Sequence, residues 1–517
     1  MKRTRRIISI ALALILAFTL TLCVPAIAAD SGKKYEPYRV YTCLGDSVAA
    51  GYGTTGYNVP PLCAQQPNAY HTLLANALGA DLRQFGWGGF RSHEIRHMID
   101  PDYSITDWTY ADNCAGFVHE EDLAARQDAY IKGVEDADIL TINIGSNDLF
   151  GDALGEVFRV LYAEPDSNET LDKIKENLKN SGNLGAAFVQ LMEFAQSIGK
   201  LNEVLNVAVK AFYRSYETFK VNFDAIVNSV YERNPDVTLV IIGMFNPLKT
   251  LSINEGDFVK VGKAADPLML LMNNYMKNGC KYSDKYIYVD VKDVELHDIA
   301  FKQDDFWSAY LAAVHPTDEG HIYMTNQILN ALPERGTMPF TDVHEGAWYY
   351  DDIYYAWYYK IVYGTTETTF EPESISTRAQ AVAMLYRMAG SPDVSGLTEP
   401  FTDVQDGYWG SAAIVWAYNN DIIAGYDAVT FGPDDELNRA QFVTILHRYA
   451  GRPEASGELS SMKDADSIAQ FYRAAAAWAV EQGIVVGFED STFRPDEYVS
   501  RAQLAAIIAR YDRACHS

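Results

Sequence analysis

Between residues 29 and about 332 the chain alternates two textures, short apolar runs and longer stretches with apolar residues at helical spacing. The runs fall at 39–44, 81–85, 139–144, 238–242 and 286–291. Runs this short, with helical pattern between them, predict the strands of a parallel sheet buried on both faces in a layered α/β domain. Residues 152–233 hold no comparable run. Leu, Ala, Lys and Glu recur there at helical spacing, which predicts a helical insertion. After about residue 338 the strand texture disappears, and the rest of the chain reads as helices joined by glycine-containing loops.

That second region repeats itself. Phe340-Thr341-Asp342-Val343 recurs 61 residues later as Phe401-Thr402-Asp403-Val404, and less closely as Met462-Lys463-Asp464-Ala465. Gly364, Phe370, Pro372 and Arg378 match Gly425, Phe431, Pro433 and Arg439, and then Gly487, Phe493, Pro495 and Arg501. A fixed period of this kind marks stacked supersecondary units. Each unit predicts a helix, a loop with an F-x-P step, and a second helix opened by Thr377, Asn438 or Ser500. These three residues are good N-caps, because a side-chain oxygen can accept a first-turn N–H. Capping does not explain the arginine that comes after each of them.

Composition narrows the function. With 48% hydrophobic and 21% charged residues the chain is that of a packed globular protein, and its net charge of −27 disfavours nucleic acid and anionic membranes as partners. The first residues are basic, an apolar run covers 7–24, and Ala26-Ile27-Ala28 forms an A-x-A site, so residues 1–28 are expected to be a cleaved secretory signal peptide. No membrane-spanning segment is expected after cleavage. Five cysteines then remain: Cys43, Cys63, Cys114, Cys280 and Cys515. Cys63 and Cys114 lie in loop-like surroundings where a bridge could form, although idle thiols are an equal alternative. No Cys or His spacing suggests a metal, and no cofactor is expected.

Chemistry in an open α/β sheet concentrates at the C-terminal ends of its strands. The first predicted strand runs into Gly45-Asp46-Ser47, the second into Gly86-Trp87-Gly88-Gly89-Phe90-Arg91-Ser92, and the third into Gly145-Ser146-Asn147-Asp148. Near the domain's end stands His315-Pro316-Thr317-Asp318-Glu319-Gly320-His321. Singly, Ser47 could be a helix cap, Gly89 a turn, Asn147 an Asx turn and His315 a structural histidine. Jointly, in this order and at these strand ends, the four segments resemble the sequence blocks of the GDSL, or SGNH, hydrolase family. The resemblance implies a three-layer αβα, flavodoxin-like fold and hydrolysis of carboxylic esters. It implies Ser47 as nucleophile and His315 as general base. The Ser47 N–H, the Gly89 N–H and the Asn147 side-chain amide would form the oxyanion hole. The roles are chemically coherent: a serine hydroxyl needs an imidazole to take its proton, and the tetrahedral intermediate needs donors around its oxyanion. The G-x-S-x-G elbow of the α/β-hydrolases is absent.

One departure from the family stands out. Its last block is D-x-x-H, and the aspartate position is Ala312 here. A backbone carbonyl is the expected substitute partner of His315, with Asp304, Asp305 and Asp318 as side-chain alternatives. The competing reading, which Ala312 favours, is a non-catalytic surface protein whose hydrolase domain has become a binding module.

The repeats resemble S-layer homology (SLH) domains, which carry the same F-x-D-V start, glycine loop with F-x-P, and T-R-A-E/Q helix start. The resemblance implies an all-α pseudo-trimer that binds secondary cell-wall polysaccharide between repeats, with Arg378, Arg439 and Arg501 contacting the anionic sugar. A guanidinium fork suits a carboxylate, while structural ion pairs are the plainer alternative. From residue 338 onward 12 basic residues face 26 acidic ones, so such a module must hold an anionic polymer through local cationic sites. The expected organisation is a signal peptide at 1–28, a hydrolase domain at 29–337, and repeats at 338–396, 397–458 and 459–517. The expected protein is a secreted serine esterase on a Gram-positive cell wall. Its expected substrate is an acyl ester, in a lipid or an O-acetylated glycan.

Overall fold

The computed structural model describes residues 34–55, 65–105, 123–164, 168–181, 184–247, 266–296, 315–455 and 459–516. The signal peptide, Cys63, Cys114, Asp304, Asp305 and Ala312 lie outside the described residues. The chain forms two compact units that meet between Glu334 and Arg335.

The first unit is built on five parallel strands, β1 (Val40–Gly45), β2 (Asp81–Gly86), β3 (Ile139–Asn143), β4 (Thr238–Ile242) and β5 (Ile287–Val289), in the order β2-β1-β3-β4-β5. Alternation along the strands divides their side chains between two cores. Leu44, Leu140, Ile142, Leu239 and Ile241 face one side, and Tyr41, Cys43, Ile139, Val240 and Ile242 the other. The first face is covered by α2 (Ser92–Ile99), α3 (Gln127–Asp136), α4 (Ser146–Tyr162), α7 (Leu201–Arg233) and α8 (Asp266–Asn274). The second face is covered by α1 (Tyr70–Leu78) and α9 (Asp318–Ala331). This is the three-layer, flavodoxin-like arrangement.

The helical stretch predicted at 152–233 divides in two. Its last part, the C-terminal half of α7, contributes Phe219, Phe223, Ile226, Val227 and Val230 to the sheet core and so belongs to the layer itself. The added elements are α5 (Asn168–Ser181) and α6 (Leu184–Ser197), which pack on α4, while α6 also packs on α7. Among the described residues no helix is long and apolar enough to cross a membrane, and Cys43, Cys280 and Cys515 are unbridged.

The second unit consists of three two-helix repeats around one apolar core: α10 (Tyr350–Tyr358) and α11 (Arg378–Met388), α12 (Ser411–Asn419) and α13 (Arg439–Tyr449), and α14 (Gln470–Glu481) and α15 (Arg501–Cys515). The helices pack between repeats, α11 on α12, α13 on α14 and α15 on α10. Thr377, Asn438 and Ser500 cap α11, α13 and α15, each accepting from the N–H of the glutamine three residues on, whose side chain reaches back. The residues just before these caps close a ring of backbone hydrogen bonds. Ser376 N–H donates to Val499 (2.9 Å), Val499 N–H to Leu437 (2.8 Å), and Leu437 N–H to Ser376 (3.0 Å). Equivalent positions bonding cyclically are the signature of a pseudo-threefold axis.

Candidate functional site

The loop after β1 carries Ser47 onto the C-terminal edge of the sheet. Gly45, with φ of +151°, starts the turn where a Cβ would run into the Asn143 carbonyl. The Ala50 N–H then donates to the Asp46 carbonyl at 2.9 Å and the Tyr52 N–H to that of Ser47 at 3.0 Å, winding the segment helically. His315 reaches this loop from 268 residues away. Its Nε2 lies 2.8 Å from Ser47 Oγ. His315 is buried, Ser47 half-buried.

Several contacts hold the two loops together. The Tyr52 ring packs on the His315 imidazole with centroids 5.2 Å apart. Gly53, at φ +91°, leaves no room for a Cβ, which would collide with the Pro316 carbonyl and approach His315 Cβ to 2.9 Å. Asp318 accepts the Thr55 N–H at 2.8 Å and the Asn68 amide at 3.2 Å. His321, fully buried, accepts the Tyr70 N–H through Nδ1 at 3.2 Å, so it is Nε2–H that faces the Tyr52 carbonyl at 3.3 Å. His321 and Asp318 thus brace the site from behind. Sequence reasoning placed them in the motif without these roles.

Gly89 and Asn147 come to the same edge. Phe90 N–H closes a turn onto the Trp87 carbonyl at 3.1 Å, with Gly89 third in the turn at φ +86°. Asn147 Nδ2 donates to the Phe90 carbonyl at 2.9 Å, which binds the third-strand loop to the second. The Asn147 amide carries a second N–H. Beneath them lie two buried carboxyls. Burial pushes Asp46 and Asp148 up to about 7 each, and for Asp46 the nearby Asp148 charge adds to the rise. Burial, and then the neighbouring His321, press His71 down to about 3. Among the described residues no cluster of His, Cys, Asp and Glu could hold a metal.

The three repeat arginines occupy one cyclic role. Arg378 Nε donates to the Phe431 carbonyl of the next repeat (2.9 Å), Arg439 Nε to Phe493 (2.8 Å), and Arg501 Nε back to Phe370 in the first repeat (2.8 Å). Each guanidinium also lies over the ring of the phenylalanine whose carbonyl it holds. All three are less than a tenth exposed, and burial lowers their pKa, that of Arg439 to about 10. The carbonyl itself is set by the motif aspartates. Asp342 accepts the Phe370 and Glu371 N–H groups, Asp403 those of Phe431 and Gly432, and Asp464 those of Phe493 and Arg494. Among the three, Arg439 lines a 660 Å³ groove, together with Trp348, Phe488, Arg494 and Arg510. Sequence reasoning did not name Arg494, because its position holds Glu371 and Gly432 in the other repeats.

Comparison with known proteins matches residues 43–322, just over half the chain, to the model described as the GDSL-like lipase/acylhydrolase family. The chain belongs to this family. It also carries three S-layer homology domains, at 339–382, 400–443 and 461–505. The extracellular lipase of Streptomyces rimosus aligns with this family member over 57% of the present chain and 99% of its own, at 17% identity and a TM-score of 0.33. Cell surface glycoprotein 1 of Acetivibrio thermocellus is 29% identical over 157 residues, which is 28% of this chain and 7% of the relative. The cellulosome-anchoring protein of the same organism is 29% identical over 151 residues, 27% of this chain and 33% of its own. The chain therefore spans a third or less of the length of these two relatives.

Proposed function

We propose that this GDSL-family chain is a wall-anchored serine esterase that cleaves carboxylic esters with Ser47 and His315. The observation that carries the reading is the 2.8 Å contact between Ser47 Oγ and His315 Nε2, brought together across 268 residues on loops that pack against each other. In the proposed reaction, His315 Nε2 takes the Ser47 proton as Oγ attacks the ester carbonyl. The imidazolium then returns that proton to the departing alkoxide, leaving an acyl-serine that water hydrolyses by the same route. The Ser47 N–H, the Gly89 N–H and the second Asn147 N–H receive the oxyanion, and each such donor is worth about 10²- to 10³-fold in kcat in comparable sites. The buried, pre-bonded loops support that role, since donors held before the substrate arrives need no reorganisation during the reaction.

The repeats attach the enzyme to cell-wall polysaccharide at the cell surface. The groove at Arg439 supports this: arginines and the exposed Trp348 ring, suited to a sugar's acid group and ring face, line it alongside Glu373, Glu489 and Asp490. A substrate sharing that location is an O-acetylated glycan, and profiling acyl-chain length on p-nitrophenyl esters separates it from a lipid. The test of the whole reading is hydrolysis of p-nitrophenyl acetate by the full chain, with Ser47→Ala as control. Absence of Ser47-dependent turnover overturns the enzyme and leaves a surface binding module. A second measurement is sedimentation of the protein with purified cell walls, which must survive Ser47→Ala.

A further inference from the structure

Asp148, next to Asn147, has no part in the proposed ester hydrolysis, yet it is 4% exposed and shares its interior with Asp46. An apolar side chain would occupy such a place at lower cost. We propose that Asp148 is a positioning residue that fixes the oxyanion loop 86–92 by holding Ser92 from the far side.

Both carboxyl oxygens of Asp148 are used on one residue. Oδ2 accepts the Ser92 N–H at 2.9 Å and Oδ1 accepts the Ser92 hydroxyl. Ser92 is the first residue of α2 and ends the loop that contains Gly89. The loop's beginning is tied by the Trp87 N–H to the Gly45 carbonyl at 3.0 Å, and its middle by the Phe90 carbonyl to Asn147. The Arg91 N–H turns to Glu94 at 2.7 Å. Gly89 has no side chain with which to anchor itself, so the direction of its N–H is set by these neighbours, of which Ser92 is the last. Asp148 sits early in α4, beside Asn147, so one short segment sets the side-chain donor and restrains the backbone donor together. The clamp has its own support. Asn222 of α7 donates to Ser92 Oγ at 3.2 Å, and Arg96 of α2 donates to Asn222 Oδ1 at 3.2 Å. Three helices therefore converge on one serine beneath the oxyanion loop.

The catalytic consequence rests on the proposed esterase reading, whereas the structural one does not, and two readouts keep them apart. The first is steady-state hydrolysis of p-nitrophenyl acetate by the full chain. Asp148→Ala should lower kcat about 100-fold with KM within about threefold, the signature of misplaced transition-state donors. Asp148→Asn keeps an acceptor for the Ser92 N–H and should recover most of that loss, and Ser92→Ala should fall between the two. The second readout is amide hydrogen exchange at Gly89, Phe90, Arg91 and Ser92. It should accelerate at least tenfold in Asp148→Ala while the three repeats stay as in the wild type. If Asp148→Ala does not fold, Ser92→Ala carries both measurements. A kcat within threefold of wild type in the alanine variants, or loop exchange unchanged by them, overturns the inference. If the wild type itself shows no Ser47-dependent turnover, the esterase reading fails and the exchange measurement alone decides the clamp.

Discussion

The two units use their motif residues in opposite ways. In the hydrolase unit Ser47, Gly89, Asn147 and His315 come from four separate segments and meet at one edge, where the Ser47 hydroxyl lies in reach of the His315 ring. In the repeat unit Arg378, Arg439 and Arg501 recur in register, and each is spent on a backbone carbonyl of the next repeat. Convergence of unlike residues from distant segments points to chemistry. Recurrence of one residue at a fixed period points first to the interface that every repeat must make with its neighbour.

The contrast is tested most severely at Ser47. On the proposed reaction, Ser47→Ala should lower ester turnover by about 10⁴-fold or more, because a nucleophile and its base act as one unit. The same substitution should leave the melting of the repeat unit and wall sedimentation unchanged. A repeat arginine should do the converse. Arg439→Ala strands the Phe493 carbonyl and removes a buried charge-assisted hydrogen bond, a loss of about 2 to 3 kcal/mol in the repeat unit, read by denaturant unfolding. Ester turnover should stay at the wild-type rate. If Arg439→Ala abolishes wall binding with no loss of stability, the arginine is a ligand contact and its role as a staple is wrong.

The differing legibility of these parts has a physical cause. Strands buried on both faces must be apolar runs, which is how β1, β3 and β4 show in the chain. The edge strands β2 and β5 are only partly buried, yet all five lie within two residues of their expected ends. The three N-caps were readable too, since capping depends on the residue's own side chain. Which strands lie side by side depends on crossovers, which leave no mark on the strands themselves. The division of α7 was hidden for a related reason. One helix of 33 residues packs on α4 and α6 and also contributes its last turns to the sheet core, with no break in pattern. The arginines were legible as a motif but not as staples, because their partners are main-chain carbonyls and every residue has one. Asp148 was quoted with Asn147 for the same motif, yet its partner Ser92 is a common residue whose importance comes only from its place at the end of a loop.

A smaller effect separates a buried acid from an ordinary one. Asp46 is held up at about 7 against an ordinary 3.8, first by burial. A carboxyl raised in this way binds its proton more tightly folded than unfolded, so its contribution is most favourable at low pH. It is lost as pH rises through the window from 3.8 to about 7. Asp46→Asn removes that titration. The variant's stability relative to wild type should therefore improve between about pH 5 and pH 8, by on the order of 2 kcal/mol in the hydrolase unit. A difference flat with pH would mean that Asp46 titrates as an exposed acid does.

The smallest effect on stability is expected at Arg494, and it refines the contrast within the repeat unit. Glu371, Gly432 and Arg494 occupy the same F-x-P position, at φ +59°, +68° and +56°. The position holds an acid, no side chain and a base on one backbone shape, and at Gly432 a Cβ would run into the Asp435 carboxyl, so the repeats share the shape and not the side chain. The Arg494 ion pairs, to Asp490 at 3.1 Å and Glu497 at 3.2 Å, are more than a third exposed and so contribute little. Glycine adopts positive φ without steric cost, which offsets their loss. Arg494→Gly should therefore melt close to wild type. Because Arg494 lines the 660 Å³ groove, the same variant should bind purified wall polysaccharide more weakly, with a shallower dependence on salt. Equal binding by Arg494→Gly and wild type would remove this groove as the contact surface. A loss of stability comparable to that of Arg439→Ala would erase the distinction between the arginine that holds the repeats together and the one that faces outward.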